Sequence, residues 1–133
     1  MQISILSIKA FKYYKKFENK DYCVIMSTST DDKLKEVKRK NKLILYYDDN
    51  CKDFNKKMAH KIIKFTNKHK KQKIYCLCDA GISRSSAIAC ALNKYYNGDD
   101  YELWNDWHYK PNKHIYNTMI NEFNNEVIKN EIK

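Results

Sequence analysis

The sequence predicts an α/β fold in one domain, residues 1–133, with a central sheet of about four to five strands flanked by helices. Four short apolar or β-branched runs have the length of buried strands: residues 3–8, 22–28, 43–47 and 74–78. Segments with helical spacing of apolar residues lie between and after these runs. Strands that alternate with helices favour a layered fold in which ligands gather at the carboxyl ends of the strands.

Helices are predicted from charge order, apolar spacing and capping residues. Residues 31–40 begin with two aspartates and end with three basic residues, the order that a helix dipole favours. Residues 83–98 begin with serines that can cap a helix and end at Gly98, a natural C-terminal cap. Residues 53–68 carry an apolar face, and we expect it to consist of Phe54, Met58, Ile62 and Phe65.

The remaining helical signals follow Gly98. The pair Asp99-Asp100 can cap a short helix through residue 107, and Pro111 can open the last helix. For the helix before Gly98 we expect a core face of Ile88, Ala91, Leu92 and Tyr95. For the last helix we expect a stripe of Ile115, Met119, Phe123 and Val127.

Composition excludes several classes of protein. Hydrophobic residues make up 43% of the chain, too many for a disordered protein, and the apolar runs are far shorter than a membrane span requires. The first residues lack a basic segment followed by an apolar core, so we expect no secretory signal and a cytoplasmic protein. Five cysteines without repeated spacing argue against a disulfide framework, and we expect reduced thiols.

The formal charge of +10 favours anionic partners. Lysines are interleaved with tyrosines near residues 9–20 and 33–47, a pattern compatible with nucleic-acid binding. Lysines that simply fill solvent positions explain the same pattern, and we favour that interpretation. The four histidines show no metal-binding spacing with cysteines or acidic residues, so no metal site and no cofactor are predicted.

The segment CDAGISRS, residues 78–85, carries the strongest chemical signal in the chain. It places Cys78 at the end of a strand and Arg84 in the first turn of the following helix, with Gly81 to permit a tight loop. The backbone N–H groups from Asp79 to Arg84 would then form an anion-binding nest beside a helix N-terminus. Such surroundings favour the thiolate form of a cysteine. A thiolate beneath a bound tetrahedral dianion is a nucleophile directed at phosphorus.

These residues resemble the phosphate-binding loop of the cysteine-dependent protein tyrosine phosphatases, in particular the small dual-specificity phosphatases. The resemblance extends to YYDDN, residues 46–50, since that family has a strand followed by an acidic loop about thirty residues before its cysteine. It also extends to the Pro111-Asn112 pair, which stands where the family begins its last helix. Together these landmarks cover residues 43–120.

The resemblance implies a role for each matching residue. Cys78 would attack phosphorus and form a phosphocysteine, and Arg84 would stabilise the transition state together with the loop amides of Asp79, Ala80, Gly81, Ile82 and Ser83. Ser85 would donate to the sulfur when it leaves. Asp49 would be the general acid, with Asp48 as the alternative, and Asn112 would support the loop. The implied substrates are phosphotyrosine and also phosphoserine or phosphothreonine in proteins, without a cofactor.

One departure from the family stands next to the nucleophile. The family usually has a histidine immediately before its cysteine, and this chain has Leu77. Two alternatives therefore stay open beside the protein phosphatase. The basic composition favours an RNA 5′-phosphatase of the same superfamily. Leu77, together with the open choice between Asp49 and Asp48 as the general acid, favours a catalytically silent module that only binds phosphate.

Overall fold

Four parallel strands form the sheet on which the predicted loop is mounted. The structure is a computed structural model, and it describes residues 1–14, 22–29, 41–48, 50 and 52–132. The strands lie in the order β1-β4-β2-β3, and every pair of neighbours is parallel. Their bounds are Ile3–Ser7 for β1, Tyr22–Thr28 for β2, Lys42–Tyr46 for β3 and Lys73–Cys78 for β4. The predicted α/β fold and its four strands are confirmed, each strand to within one residue at either end.

Five α-helices accompany the sheet in the part of the chain that the structure describes. They are α1 at Ile8–Tyr14, α2 at Lys56–Lys68, α3 at Arg84–Leu92, α4 at Tyr101–Trp104 and α5 at Lys113–Ile132. No helix among the described residues is long and apolar enough to cross a membrane. The helix predicted at residues 31–40 lies outside the described residues, and α1 was not predicted at all.

Two helical boundaries differ from the prediction, and the predicted cap of a third helix makes no capping hydrogen bond. Helix α2 begins after Asn55 rather than at Asp53, since the Asn55 side chain accepts a hydrogen bond from the Met58 amide. Helix α4 ends at Trp104, three residues early. The serine predicted to cap α3 occupies the cap position as Ser83, but its side chain makes no capping hydrogen bond.

Two residues of the predicted core faces are exposed, and Met58 and Phe65 are only partly buried. Tyr95 is 40% exposed because a π-helical turn at Asn93–Asn97 continues α3 and changes the residue spacing. Tyr96 turns inward instead, where its hydroxyl forms a hydrogen bond with that of Thr66. Val127 is 37% exposed, whereas the other three residues of its stripe are buried.

The sheet separates two apolar clusters. Helices α2, α3 and α5 cover one face, where Cys23, Ile25 and Cys76 point into the larger cluster. Helix α1 covers the other face, where Val24 and Leu77 pack in the smaller cluster. All seven residues of β2 are buried, as expected for a strand covered on both sides.

The topology places the loop after β4 at a switch point of the sheet. The neighbouring strands β1 and β4 lead into helices on opposite faces, α1 and α3. A crevice forms where the connections diverge at the carboxyl ends of two such strands, and α/β proteins bind ligands there. Gly81 lies in this crevice with φ +70°, and a β-carbon on it would be 2.6 Å from the Ser7 backbone nitrogen.

We expect Gly81→Ala to destabilise the fold more than Gly98→Ala. Both glycines have positive φ, which costs any alanine about 1–2 kcal/mol. A β-carbon on Gly81 would clash with the backbone of β1, which would have to shift. A β-carbon on Gly98 would meet nothing within 4 Å. Such overpacking should add about 1–3 kcal/mol. Urea unfolding measures both variants, and equal losses would contradict the contact.

Candidate active site

The sulfur of Cys78 points into the loop that follows it. The Gly81 amide donates a hydrogen bond to Sγ at 3.2 Å, and the Ser85 hydroxyl lies 3.1 Å from the same atom. Cys78 ends β4, and Ser85 lies in the first turn of α3, so the strand and the helix together define the position of the sulfur. Cys78 is 2% exposed. The sulfur therefore lies within hydrogen-bond distance of one group in the loop and one group in the helix.

Two other cysteines near the loop cannot compete as nucleophiles. Burial raises the pKa of Cys76 well above its ordinary value, and the nearby Cys78 raises it further. Burial also raises the pKa of Cys90 to about 12. Both side chains are therefore neutral thiols at physiological pH. The described cysteines form no disulfide, and Cys51 lies outside the described residues.

Arg84 connects the loop to the residues that follow β2 and β3. Its Nη1 donates to the Tyr47 carbonyl oxygen at 2.9 Å and to the Ser29 hydroxyl at 3.3 Å. Its Nη2 donates to the Asp79 carboxylate at 2.9 Å. The side chain is 2% exposed, so the guanidinium lies inside the site rather than in solvent.

No side chain caps the first turn of α3. The hydroxyl of Ser83 makes no capping bond, and Ser86 bonds backward to the Ile82 and Ser83 carbonyl oxygens. The amides of this turn and the positive end of the helix dipole therefore face the loop without a competing serine oxygen.

The segment before α5 donates two backbone hydrogen bonds to the loop. The Lys110 amide donates to the Ile82 carbonyl oxygen at 3.0 Å, and the Asn112 amide donates to the Ser83 carbonyl oxygen at 3.2 Å. The Asn112 side chain instead caps α5, where it accepts from the Ile115 amide at 3.0 Å. Asn112 thus supports the loop through its backbone, and its side chain begins the next helix.

Of the two candidate acids, Asp48 lies among the described residues, after β3. Asp48 is exposed and comes directly after Tyr47, whose carbonyl oxygen receives the Arg84 hydrogen bond. Asp49, the preferred acid, lies outside the described residues. The acidic segment therefore begins next to the loop. Which of its two carboxyl groups reaches the substrate stays a prediction.

Ser29 and the Tyr47 carbonyl oxygen are site groups that the sequence interpretation missed. Ser29 follows β2, and the parallel sheet brings the carboxyl end of β2 next to that of β4. The run Ser27-Thr28-Ser29 at a strand end was the available signal, because polar residues directly after buried strands mark the ligand edge of such sheets.

An open groove adjoins the loop on its β1 side. Its volume is about 680 Å³, and its walls are the end of β1, residues 80–82 of the loop and residues 107–110. Trp107 is 83% exposed and stacks on His108 with the ring centres 3.8 Å apart.

Comparison with solved structures shows which proteins share this architecture. No protein-family model matches the sequence, and a search of curated proteins finds no significant match. The PTP-2 phosphatase of Cydia pomonella superposes with a TM-score of 0.65 at 17% identity, over 91% of this chain and 85% of that one. PTPMT1 in complex with PI(5)P gives a TM-score of 0.63 at 14% identity, over 96% and 94% of the two chains.

A third similar structure is a human tyrosine phosphatase-like serine/threonine/tyrosine-interacting protein. It superposes with a TM-score of 0.60 at 16% identity, over 90% of this chain and 85% of that chain. The match therefore extends over nearly the whole of each structure, while the sequences have diverged. Together with the parallel sheet and the loop from Cys78 to Arg84, these similarities show that the chain has the fold of the cysteine-dependent protein tyrosine phosphatase superfamily.

Proposed function

We propose that the protein is a phosphatase that hydrolyses phosphate monoesters through a phosphocysteine at Cys78, with phosphotyrosine in proteins as the preferred substrate. One observation carries the proposal: the Cys78 sulfur, the Gly81 amide, the Ser85 hydroxyl and the buried Arg84 guanidinium belong to one loop at a helix N-terminus. This arrangement supplies both a nucleophile and the groups that neutralise a phosphoryl transition state.

The reaction has two steps. In the first, the Cys78 thiolate attacks phosphorus, an S–P bond forms, and the bond from phosphorus to the ester oxygen breaks. The acidic residue after β3, Asp49 in our assignment, gives its proton to that oxygen. In the second, the resulting carboxylate takes a proton from water as the water oxygen attacks phosphorus. The S–P bond then breaks, and Ser85 donates to the departing sulfur. Phosphate leaves, and the thiolate and the protonated acid are restored.

The loop itself favours monoesters over polyanionic substrates. Asp79 places a carboxylate 2.9 Å from Arg84, and residues 78–85 contain no lysine. A second phosphate close to Asp79 would be repelled by this negative charge. A monoester places a single phosphate in the loop, so it avoids most of this repulsion. We also propose that the protein acts in the cytoplasm, where a thiolate stays reduced.

Cys78→Ser should abolish hydrolysis of an aryl phosphate measured in the presence of a chelator, while phosphate binding is retained. The reason is that the hydroxyl is a far weaker nucleophile at neutral pH, whereas the loop amides and Arg84 are unchanged. Cys90→Ala is the matched control, since Cys90 is buried in α3 outside the loop. Calorimetry with inorganic phosphate measures binding. Activity that survives Cys78→Ser would exclude the mechanism.

Asp49→Asn and Asp48→Asn separate the two candidate acids. The true acid protonates a poor leaving group, so its loss should lower kcat on an alkyl phosphate by roughly 10²- to 10⁴-fold. The same loss should matter less for p-nitrophenyl phosphate, whose leaving group needs little protonation. We expect Asp49→Asn to show this difference between the two substrates. We also expect that kcat of this variant no longer decreases as the pH rises. The same behaviour in Asp48→Asn instead would reverse the assignment.

A second candidate function, an RNA 5′-phosphatase, is favoured by the groove beside the loop. The exposed Trp107 and His108 rings form a stacked pair on which a base could lie, with Lys110 next to them. A competition assay between a phosphotyrosyl peptide and 5′-triphosphorylated RNA tests both functions. We expect the peptide to be the better substrate. Preference for RNA, together with a loss on RNA alone in Trp107→Ala, would establish the second function.

A further inference from the structure

A second cluster of chemically active side chains lies between α2 and α5, outside the phosphate loop. It consists of His60 on α2 and of Glu122 and Glu126 on α5. One nitrogen of His60 and one carboxylate oxygen of each glutamate lie within 4.8 Å of one another. Imidazole and carboxylate groups together suit zinc and its neighbours among the divalent transition metals, whereas calcium and magnesium prefer oxygen ligands alone.

The geometry of the cluster is close to that of a zinc site. Glu122 and Glu126 are four residues apart on one helix, so they share a face, and His60 faces them from the neighbouring helix. The Nδ1 atom of His60 lies 3.4 Å from Glu126 Oε1 and 3.9 Å from Glu122 Oε1. Ligand atoms about 2.0–2.1 Å from a tetrahedral zinc ion are about 3.4 Å apart. Small side-chain rotations therefore complete three corners of a tetrahedron.

Burial of Glu122 is the independent observation that points to a cation. The residue is 7% exposed, and among the described residues no group donates a hydrogen bond to its carboxylate. The nitrogen closest to it in that part of the chain is Nδ1 of His60 at 3.9 Å, beyond hydrogen-bond distance. The side chain has given up most of its contact with water without gaining a hydrogen bond from the protein, and a metal ion in the cluster would replace that contact.

We propose that His60, Glu122 and Glu126 bind one Zn²⁺ ion, with water in the fourth position. The ion would join α2 to α5 and so stabilise the layer of helices behind the sheet. Lys56, Lys57 and Lys61 border the same pocket, and their charge weakens binding relative to a closed site with four protein ligands. The proposal concerns stability and is independent of the chemistry at Cys78.

Calorimetry and thermal unfolding with ZnCl₂ test the proposal on the full chain after treatment with a chelator and its removal. The Cys78→Ser background keeps zinc from the thiolate of the loop. We expect one ion to bind per chain and the unfolding midpoint to rise. Glu126→Gln, at a partly exposed position, should weaken binding at least tenfold, as should His60→Ala. His108→Ala, which alters a histidine outside the cluster, should change nothing.

Cobalt substitution identifies the ligand atoms directly. Co²⁺ in the proposed site should show the visible absorption of a tetrahedral ion without the thiolate-to-cobalt band that a cysteine ligand would add. Zinc binding that is unchanged in both Glu126→Gln and His60→Ala would overturn the proposal. A thiolate band, or an unfolding midpoint that ZnCl₂ does not raise, would do the same, and the last result would leave the cluster as an ion pair only.

Discussion

The ion pair and hydrogen bonds of the buried Arg84 guanidinium are the interaction on which the site depends. A cation that is 98% removed from solvent is tolerable only where its donors are satisfied, and the protein supplies Asp79, the Ser29 hydroxyl and the Tyr47 carbonyl oxygen. These partners come from the loop, the end of β2 and the residue after β3. One side chain thus joins three segments of the chain at the carboxyl edge of the sheet.

The Cys78 sulfur and the Arg84 guanidinium keep their relative position because the loop between them is held by contacts on two sides. On one side, Gly81 packs against the backbone at the end of β1, where no larger residue fits. On the other, the amides of Lys110 and Asn112 hold the Ile82 and Ser83 carbonyl oxygens. Leu77 packs in the apolar cluster under α1, so it provides no hydrogen bond to the loop in place of the family's usual histidine. Backbone contacts rather than an imidazole therefore define the loop conformation.

The parts of the site that could be predicted are those that are local in sequence. Cys78, Gly81, Arg84 and Ser85 lie within eight residues, and the requirements of a strand, a tight loop and a helix N-terminus constrain each of them. The partners of Arg84 could not be predicted in the same way. Ser29 is 55 residues away and the Tyr47 carbonyl 37, and only the strand order brings them to the same edge.

Two errors in the predicted elements have local causes, whereas the cluster around His60 is not local in the sequence. A π-helical turn after Leu92 exchanges the roles of Tyr95 and Tyr96, since periodic patterns assume that α-helical spacing continues. Helix α1 has only seven residues, and its buried Ile8 and Phe11 lie among basic and exposed residues, so its pattern is weak. The cluster around His60 combines two helices that are far apart in the chain, and no spacing rule for histidines along one segment reveals it.

The central claim is that the Cys78 sulfur itself receives the phosphoryl group. Rapid mixing with an aryl phosphate, acid quenching and mass spectrometry of the peptide that contains Cys78 test it most directly. We predict one phosphoryl group on that peptide, attached at sulfur, which forms and decays within a turnover. Steady hydrolysis without any phosphorylated Cys78, or with the phosphoryl group on another residue, would contradict the claim.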